Sequence, residues 1–285
     1  MKKFIALYFI IFIASFSMEI KNNRIYGEHG ESVELKEYKR ILVYNLGAVE
    51  TLFEIGAGEN IVGIANHRAK IWPEEKTKNI PTAGPISKPS IETIMSFNPD
   101  IVLFNVMGDK VDELNKVGIP SLVFANRNLD DIKRNTLILG AMTGKESESQ
   151  EVVKKMEEKL EYIKKNNSLK GKAVILYSDT PPTSFSKNSL PVEILKLLGL
   201  EVVVPAGGKK AIISPEYILS ENPDYIIGTR AIKSKEEILN SIPLIEETKA
   251  YKSNNIYQID STVILRASHR VFDEIEKLYE ILKGR

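Results

Sequence analysis

Apolar and polar positions along this chain follow two registers, and the switches between them mark its elements. Short runs rich in β-branched and aromatic residues fall at 41–44, 61–64, 101–104 and 122–124, and again at 173–177, 202–204, 225–227 and 256–259. Separated by stretches of helical period, they predict an α/β fold with largely parallel central sheets. Between the two groups, KESESQEVVKKMEEKLEYIKKNN has no Pro or Gly and puts Val152, Val153, Met156, Leu160 and Ile163 on one stripe. This spacing predicts a single helix; about twenty residues at 1.5 Å rise give roughly 30 Å, enough for a stiff strut between two lobes. Ahead of the first run, RIYGEHGESVELKEYKR predicts a hairpin turning at His29 and Gly30.

The halves on either side of the strut repeat each other. Residues 89–104 (PSIETIMSFNPDIVLF) and 213–228 (ISPEYILSENPDYIIG) match at Glu92/Glu216, Ile94/Ile218, Asn98/Asn222, Pro99/Pro223 and Asp100/Asp224, all at an offset of 124. Val49, Glu50, Leu52 and Gly56 match Val192, Glu193, Leu195 and Gly199 at an offset of 143, and the order of motifs is the same. An internal duplication follows. The expected organisation is a leader at 1–17, an N-terminal α/β lobe with its hairpin at 18–144, an interlobe helix at 145–168 and a C-terminal α/β lobe at 169–285. Each lobe is expected to be Rossmann-like. In both, Asn-Pro-Asp stops a helix ahead of a strand, because Pro biases its predecessor away from helical angles.

Charge changes the picture only by exclusion. With 39 Lys+Arg against 38 Asp+Glu in 285 residues, no net basic field draws in a polyanion, so nucleic acid is not an expected partner. The absence of cysteine removes disulfides, thiolate metal sites and the lipidated Cys of a lipoprotein. Lys2 and Lys3 precede an apolar run at 4–16 that is too short to span a bilayer, and Ser15 and Ser17 are small residues placed for cleavage before Met18. These features predict an exported protein with a cleaved leader, periplasmic and not a lipoprotein.

Ligands of parallel α/β sheets bind beyond the carboxyl ends of the strands. Those positions here carry Asn45, then Asn66, His67 and Arg68 with Trp72 following, then Asn105 and Met107, then Arg127 between Asn126 and Asn128. In the second half they carry Phe185 and Lys187 in the loop expected at 178–189, then Arg230, then Arg266, His269 and Arg270. A cleft gathering Arg68, Arg127, Arg230 and Arg266 favours an anion with several oxygens, since guanidinium binds oxyanions as a bidentate fork. Trp72 offers an apolar wall, and Lys209 and Lys210 read as a solvated turn. Three scattered histidines, His29, His67 and His269, predict no metal site, and neither a phosphate loop nor a nucleophile elbow is present. A triad forced from Ser184 and Asp179 with a distant His has little to support it. Glu92 and Glu216 each follow a Ser by two residues, which suits the first turn of a helix; as duplicated acids they equally suit a pair of negative posts for a two-subunit partner.

RILVYNLGAVETLFEIGAGENIVGI, PSIETIMSFNPDIVLF, LGAMTGKESESQEVVKKMEEKL and NNIYQIDSTVILRASHRVFDEIEKL together resemble the class III periplasmic substrate-binding proteins of ABC importers, which serve ferric siderophores, haem and cobalamin. The resemblance covers nearly all of the chain after the leader. It implies two Rossmann-like lobes on one rigid helix, a shallow cleft, and Glu92 and Glu216 docking onto arginines of a dimeric inner-membrane permease. RASHR and TPP are similar to the cobalamin-binding member, but GPISKPS lacks the aromatic residues expected beside a corrin. Trp72-Pro73 stands where haem carriers place Tyr before Pro. The expectation is a monomeric, non-enzymatic receptor for an anionic iron chelate such as a ferric siderophore. It needs no cofactor of its own, the iron being carried within the ligand. A haem or cobalamin carrier is the alternative, and a secreted α/β enzyme using His67 or His269 is the more distant one.

Overall fold

A computed structural model of the chain describes residues 18–27, 29–67, 69–105, 108–204 and 210–284. The expected leader at 1–17, Arg68, Met107 and Lys209 lie outside the described residues. The chain opens with an antiparallel sheet of β1 (Glu19–Lys21), β2 (Arg24–Tyr26) and β3 (Ser32–Glu34). The β2–β3 hairpin is the predicted one. A further strand, β1, pairs with it through Asn22 and Asn23, both at positive φ (49° and 58°) as a two-residue mirror-type turn requires.

Next come β4 (Ile41–Val43), α1 (Leu46–Glu54), β5 (Ile61–Asn66), α2 (Glu74–Thr77), β6 (Thr82–Pro85), α3 (Ile91–Ser96), β7 (Ile101–Phe104), α4 (Gly108–Lys116), β8 (Ser121–Val123) and α5 (Leu129–Thr143). Their five strands form a wholly parallel sheet in the order β6-β5-β4-β7-β8. The helix α6 (Glu146–Asn166) follows, with Val152, Val153, Met156, Leu160 and Ile163 buried as the stripe predicts. The second half is β9 (Lys172–Asp179), β10 (Pro182–Phe185), α7 (Leu190–Leu197), β11 (Glu201–Val202), β12 (Lys210–Ile212), α8 (Pro215–Glu221), β13 (Tyr225–Gly228), α9 (Lys235–Ser241), α10 (Lys249–Lys252), β14 (Ile256–Gln258), α11 (Thr262–Arg266) and α12 (Val271–Leu282). Here β11, β9, β13 and β14 are parallel, while β10 lies antiparallel between β9 and β12. The two sheets are separate, as the α/β reading with twin central sheets requires.

The duplication has a structural job. Asp100 donates its N–H to Arg40 O (2.8 Å) and accepts from the N–H groups of Lys39 and Arg40 (3.0 and 2.9 Å). Asp224 does the same at Lys172, donating to its carbonyl and accepting from its N–H, both at 2.8 Å. Asn98 and Asn222 share a left-handed backbone, φ 45° and 46°. Each Asn-Pro-Asp thus ends a helix and ties the start of its sheet's middle strand, satisfying backbone groups that strand pairing leaves over.

One segment departs from expectation. Residues 178–189 do not form an open loop. The chain turns at Thr180 and Pro181 into β10, which pairs Thr183 with Ser178 and continues the sheet. Ser184 is thereby buried with its hydroxyl donated to Ile175 O (2.9 Å), which removes it from any catalytic triad.

Candidate ligand-binding cleft

In the first sheet the strand order reverses around β4, with β5 on one side and β7 on the other, and this is where a parallel sheet opens a crevice at its carboxyl edge. A cavity of about 490 Å³ lies there. From the first half it is lined by Tyr44, Asn45 and Gly47 after β4, Asn66 and His67 at the end of β5, Ile86, and Asn105 after β7. Arg230, Thr262, Leu265 and Arg266 close it from the second half. A second cavity of about 560 Å³ adjoins it, sharing Arg230 and Thr262 and adding Tyr177, Lys233 and Asp260.

Each wall has a local cause. Asn45 caps α1, its side-chain oxygen accepting from the N–H groups of Gly47 and Ala48 while its amide donates to Phe124 O. It frames the cleft with its polar atoms already used. Tyr44 donates to Ala83 O (2.5 Å) and stacks on Phe104; burial pushes its hydroxyl up to about 12. His67 places Nδ1 at 2.8 Å from Ala69 O. A carbonyl only accepts, so Nδ1 carries a hydrogen, and in the neutral ring Nε2 keeps its lone pair. Arg230, exposed, holds a left-handed backbone at φ 51°, its N–H donated to Ser261 Oγ (3.1 Å). Its guanidinium has no hydrogen-bond or ion-pair partner among the described residues. A non-glycine residue held there stores strain, which is commonly found at functional positions.

Arg266 lines the cavity, but its Nη1 lies 2.5 Å from Glu50 Oε1. Glu50, fully buried on α1, also accepts from Ser268 Oγ (2.6 Å) and Trp72 N (3.3 Å), with Arg270 Nη1 at 3.5 Å. The charge of Arg266 is therefore offset before any ligand arrives. Trp72 does not line the cleft: its ring meets His269 edge-on (centroids 5.5 Å) and carries the Arg270 guanidinium at 5.7 Å. His269 is likewise outside it, buried beside α6 and α12 with Nδ1 unpartnered. Burial, then Arg270 and Lys159, hold its imidazole down at about 3. Glu54 stands 3.6 Å from Nε2, too far for a hydrogen bond.

Phe185 is also displaced from the expected rim, because β10 turns it into the core against Tyr177 (centroids 5.4 Å). Lys187 follows it onto the exposed surface and lines neither cavity. Arg127 is exposed and lines neither cavity, its N–H donated to Asp131 (3.1 Å). Of the expected rim the structure brings together Asn45, His67, Arg230 and Arg266, with Asn66 and Asn105. Sequence reasoning missed Tyr44, Thr262, Leu265 and the hub at Glu50. The repeated Val-Glu-x-Leu, which sets an acid amid the apolar positions of a helix, was the available signal.

Glu92 and Glu216 are exposed in the first turns of α3 and α8, whose caps are Ser90 and Ser214. The Ser90 hydroxyl, first, holds the Glu92 carboxyl below its usual range, and for Glu216 the backbone N–H does so first, then Ser214. Since β6 is parallel to its sheet and β12 runs parallel to β9, both helices begin at the carboxyl edge of their sheets.

A model of the family described as periplasmic binding protein matches residues 41–263. YhfQ of Bacillus subtilis, named a putative ABC transporter substrate-binding lipoprotein, is 26% identical over 84% of this chain and 83% of its own length. YvrC of the same organism, named an uncharacterized lipoprotein of that kind, is 23% identical over 86% and 80%. Among solved structures, a possible iron-binding periplasmic solute-binding protein from Staphylococcus epidermidis superposes with a TM-score of 0.74 at 21% identity, covering 86% of this chain and 98% of its own. The haem-binding RhuT from Roseiflexus sp. (0.73, 20%, 86% and 97%) and the vitamin B12 binding BtuF of Vibrio cholerae (0.72, 17%, 86% and 97%) share the fold. These names correct one expectation. Relatives of this chain are named lipoproteins, so the reading as a free periplasmic protein does not stand. With that model matched across both sheets, and with the fold shared with these solved binding proteins, the chain belongs to the periplasmic binding protein family.

Proposed function

We propose that this substrate-binding protein captures an anionic iron chelate, such as a ferric siderophore, in the cleft between its sheets and hands it to an ABC permease docked on Glu92 and Glu216. The observation that carries the reading is Arg230: a strained, exposed residue common to both cavities, whose guanidinium has no partner among the described residues. Lys233 adds a second cation and Asn66, Asn105 and Thr262 add neutral donors. Such a wall suits a ligand rimmed with oxygens. The iron belongs to the cargo and the protein performs no reaction on it. Titration with ferric citrate, a ferric tris-catecholate, haemin and cyanocobalamin tests this. A ferric chelate should bind, and Arg230→Ala should weaken it about 10- to 100-fold, the worth of a charge-assisted hydrogen bond. Binding of cyanocobalamin alone, or an Arg230→Ala variant with unchanged affinity, overturns the reading. One observation favours haem as a second reading: the Nε2 lone pair of His67 at the cavity wall can ligate iron. A Soret shift with haemin that His67→Ala abolishes would select it.

A further inference from the structure

The two copies of Val-Glu-x-Leu have a shared fate that the cleft does not explain. Glu50 is the fifth residue of α1 and Glu193 the fourth of α7, at equivalent places in the duplicated halves. Glu50 reaches from the first half to Arg266 (2.5 Å) and Ser268 (2.6 Å) in the second. Glu193 reaches from the second half to the first, accepting from Leu129 N (3.1 Å) at the start of α5. That N–H is one of the donors a helix start leaves unpaired, where an anion is favoured. Burial pushes the Glu193 carboxyl up while the Leu129 N–H opposes it. Between the two acids the halves touch closely: Asn126 donates to Ala267 O (2.6 Å), and a side chain on Gly47 would overlap Arg266 O.

Carboxylates withdrawn from water, fully at Glu50 and partly at Glu193, add little net stability, because desolvation offsets most of the attraction. Their directional hydrogen bonds do fix how two bodies sit against each other. We propose that Glu50 and Glu193 form a reciprocal clasp across the seam, each half gripping the other with the same duplicated acid, and that they are positioning residues setting the cleft's width and the place of Arg266 in its wall. The importance of that width rests on the cargo reading above; the clasp itself does not. Arg266 is on this view a framework cation held by Glu50, and Arg230 the one left for cargo.

The chain has no cysteine, so two introduced ones carry spin labels cleanly. Lys116→Cys on α4 and Asn240→Cys on α9, both exposed, report the distance between halves in the ligand-free protein. The parent should give one narrow distance distribution. Glu50→Gln and Glu193→Gln should each widen it, and the double variant should at least double its width. Ile226→Ala, which loosens a core made only of second-half residues and does not touch the seam, should leave it unchanged. If Glu50→Gln does not fold, Glu50→Gln with Arg266→Gln removes both charges and should widen the distribution too. Trp72, which donates to Glu50, should shift its emission in Glu50→Gln and not in Glu193→Gln. An unaltered distribution in the folded double variant, or equal widening by Ile226→Ala, overturns the clasp. Because no ligand is present, failure to bind any ferric chelate would sink the cargo reading and leave this result untouched.

Discussion

His269 is held neutral between pH 3 and 6.5, where an exposed histidine would take up a proton, and the consequence is a pH dependence with a definite sign. Its folded value near 3 lies below the unfolded 6.5, set by burial and by Arg270 and Lys159. The unfolded chain therefore binds a proton between those values while the native one does not, so stability falls as pH drops through that window, by about 1.4 kcal/mol per unit. Urea midpoints at pH 6.5 and 4.5 should show the parent losing more than His269→Gln, by on the order of 2 kcal/mol. Equal losses would place the proton elsewhere. At the same scale, Gly47 is required by approach rather than by turn geometry. Gly47→Ala meets the Arg266 carbonyl, a backbone atom that cannot swing aside, so the variant should weaken cargo binding through a displaced wall while its far-UV dichroism stays that of the parent.

At the scale of elements, α6 was legible because its stripe is long, uninterrupted and of one period. What seats it was not. Gly140 on α5 faces Ser149 on α6, and a Cβ at 140 would sit 2.8 Å from Lys145 O and closer still to the Ser149 side chain. Gly140→Val should therefore cost about 1–3 kcal/mol by overpacking, read as a lower urea midpoint at unchanged slope. No change would mean that the two helices slide apart without penalty. The strand β10 teaches the converse lesson. Thr-Pro-Pro-Thr reads as loop from local signals, and only the unpaired edge of β9 makes it a strand. That pairing drew Phe185 into the core and left Lys187 outside the cleft.

For the whole molecule, the proposal that Glu92 and Glu216 meet a two-subunit permease makes a separable prediction. Both acids are exposed and hydrogen-bonded only locally, so changing them to Arg should abolish uptake in proteoliposomes bearing the cognate permease, yet leave chelate affinity within twofold. Unchanged transport, or a parallel loss of affinity, would remove the docking role. By itself the sequence determined the alternating elements, the strut, the duplication and the edge at which chemistry gathers, because each is written in spacing between near neighbours or in direct repetition. Tertiary structure alone decided which arginine stays available and which is spent on a buried carboxylate 216 positions away. It also turned Trp72 and His269 away from the cleft. Those outcomes depend on which surfaces the folded halves press together, and an ion pair or ring contact between distant positions leaves no periodic trace in the chain.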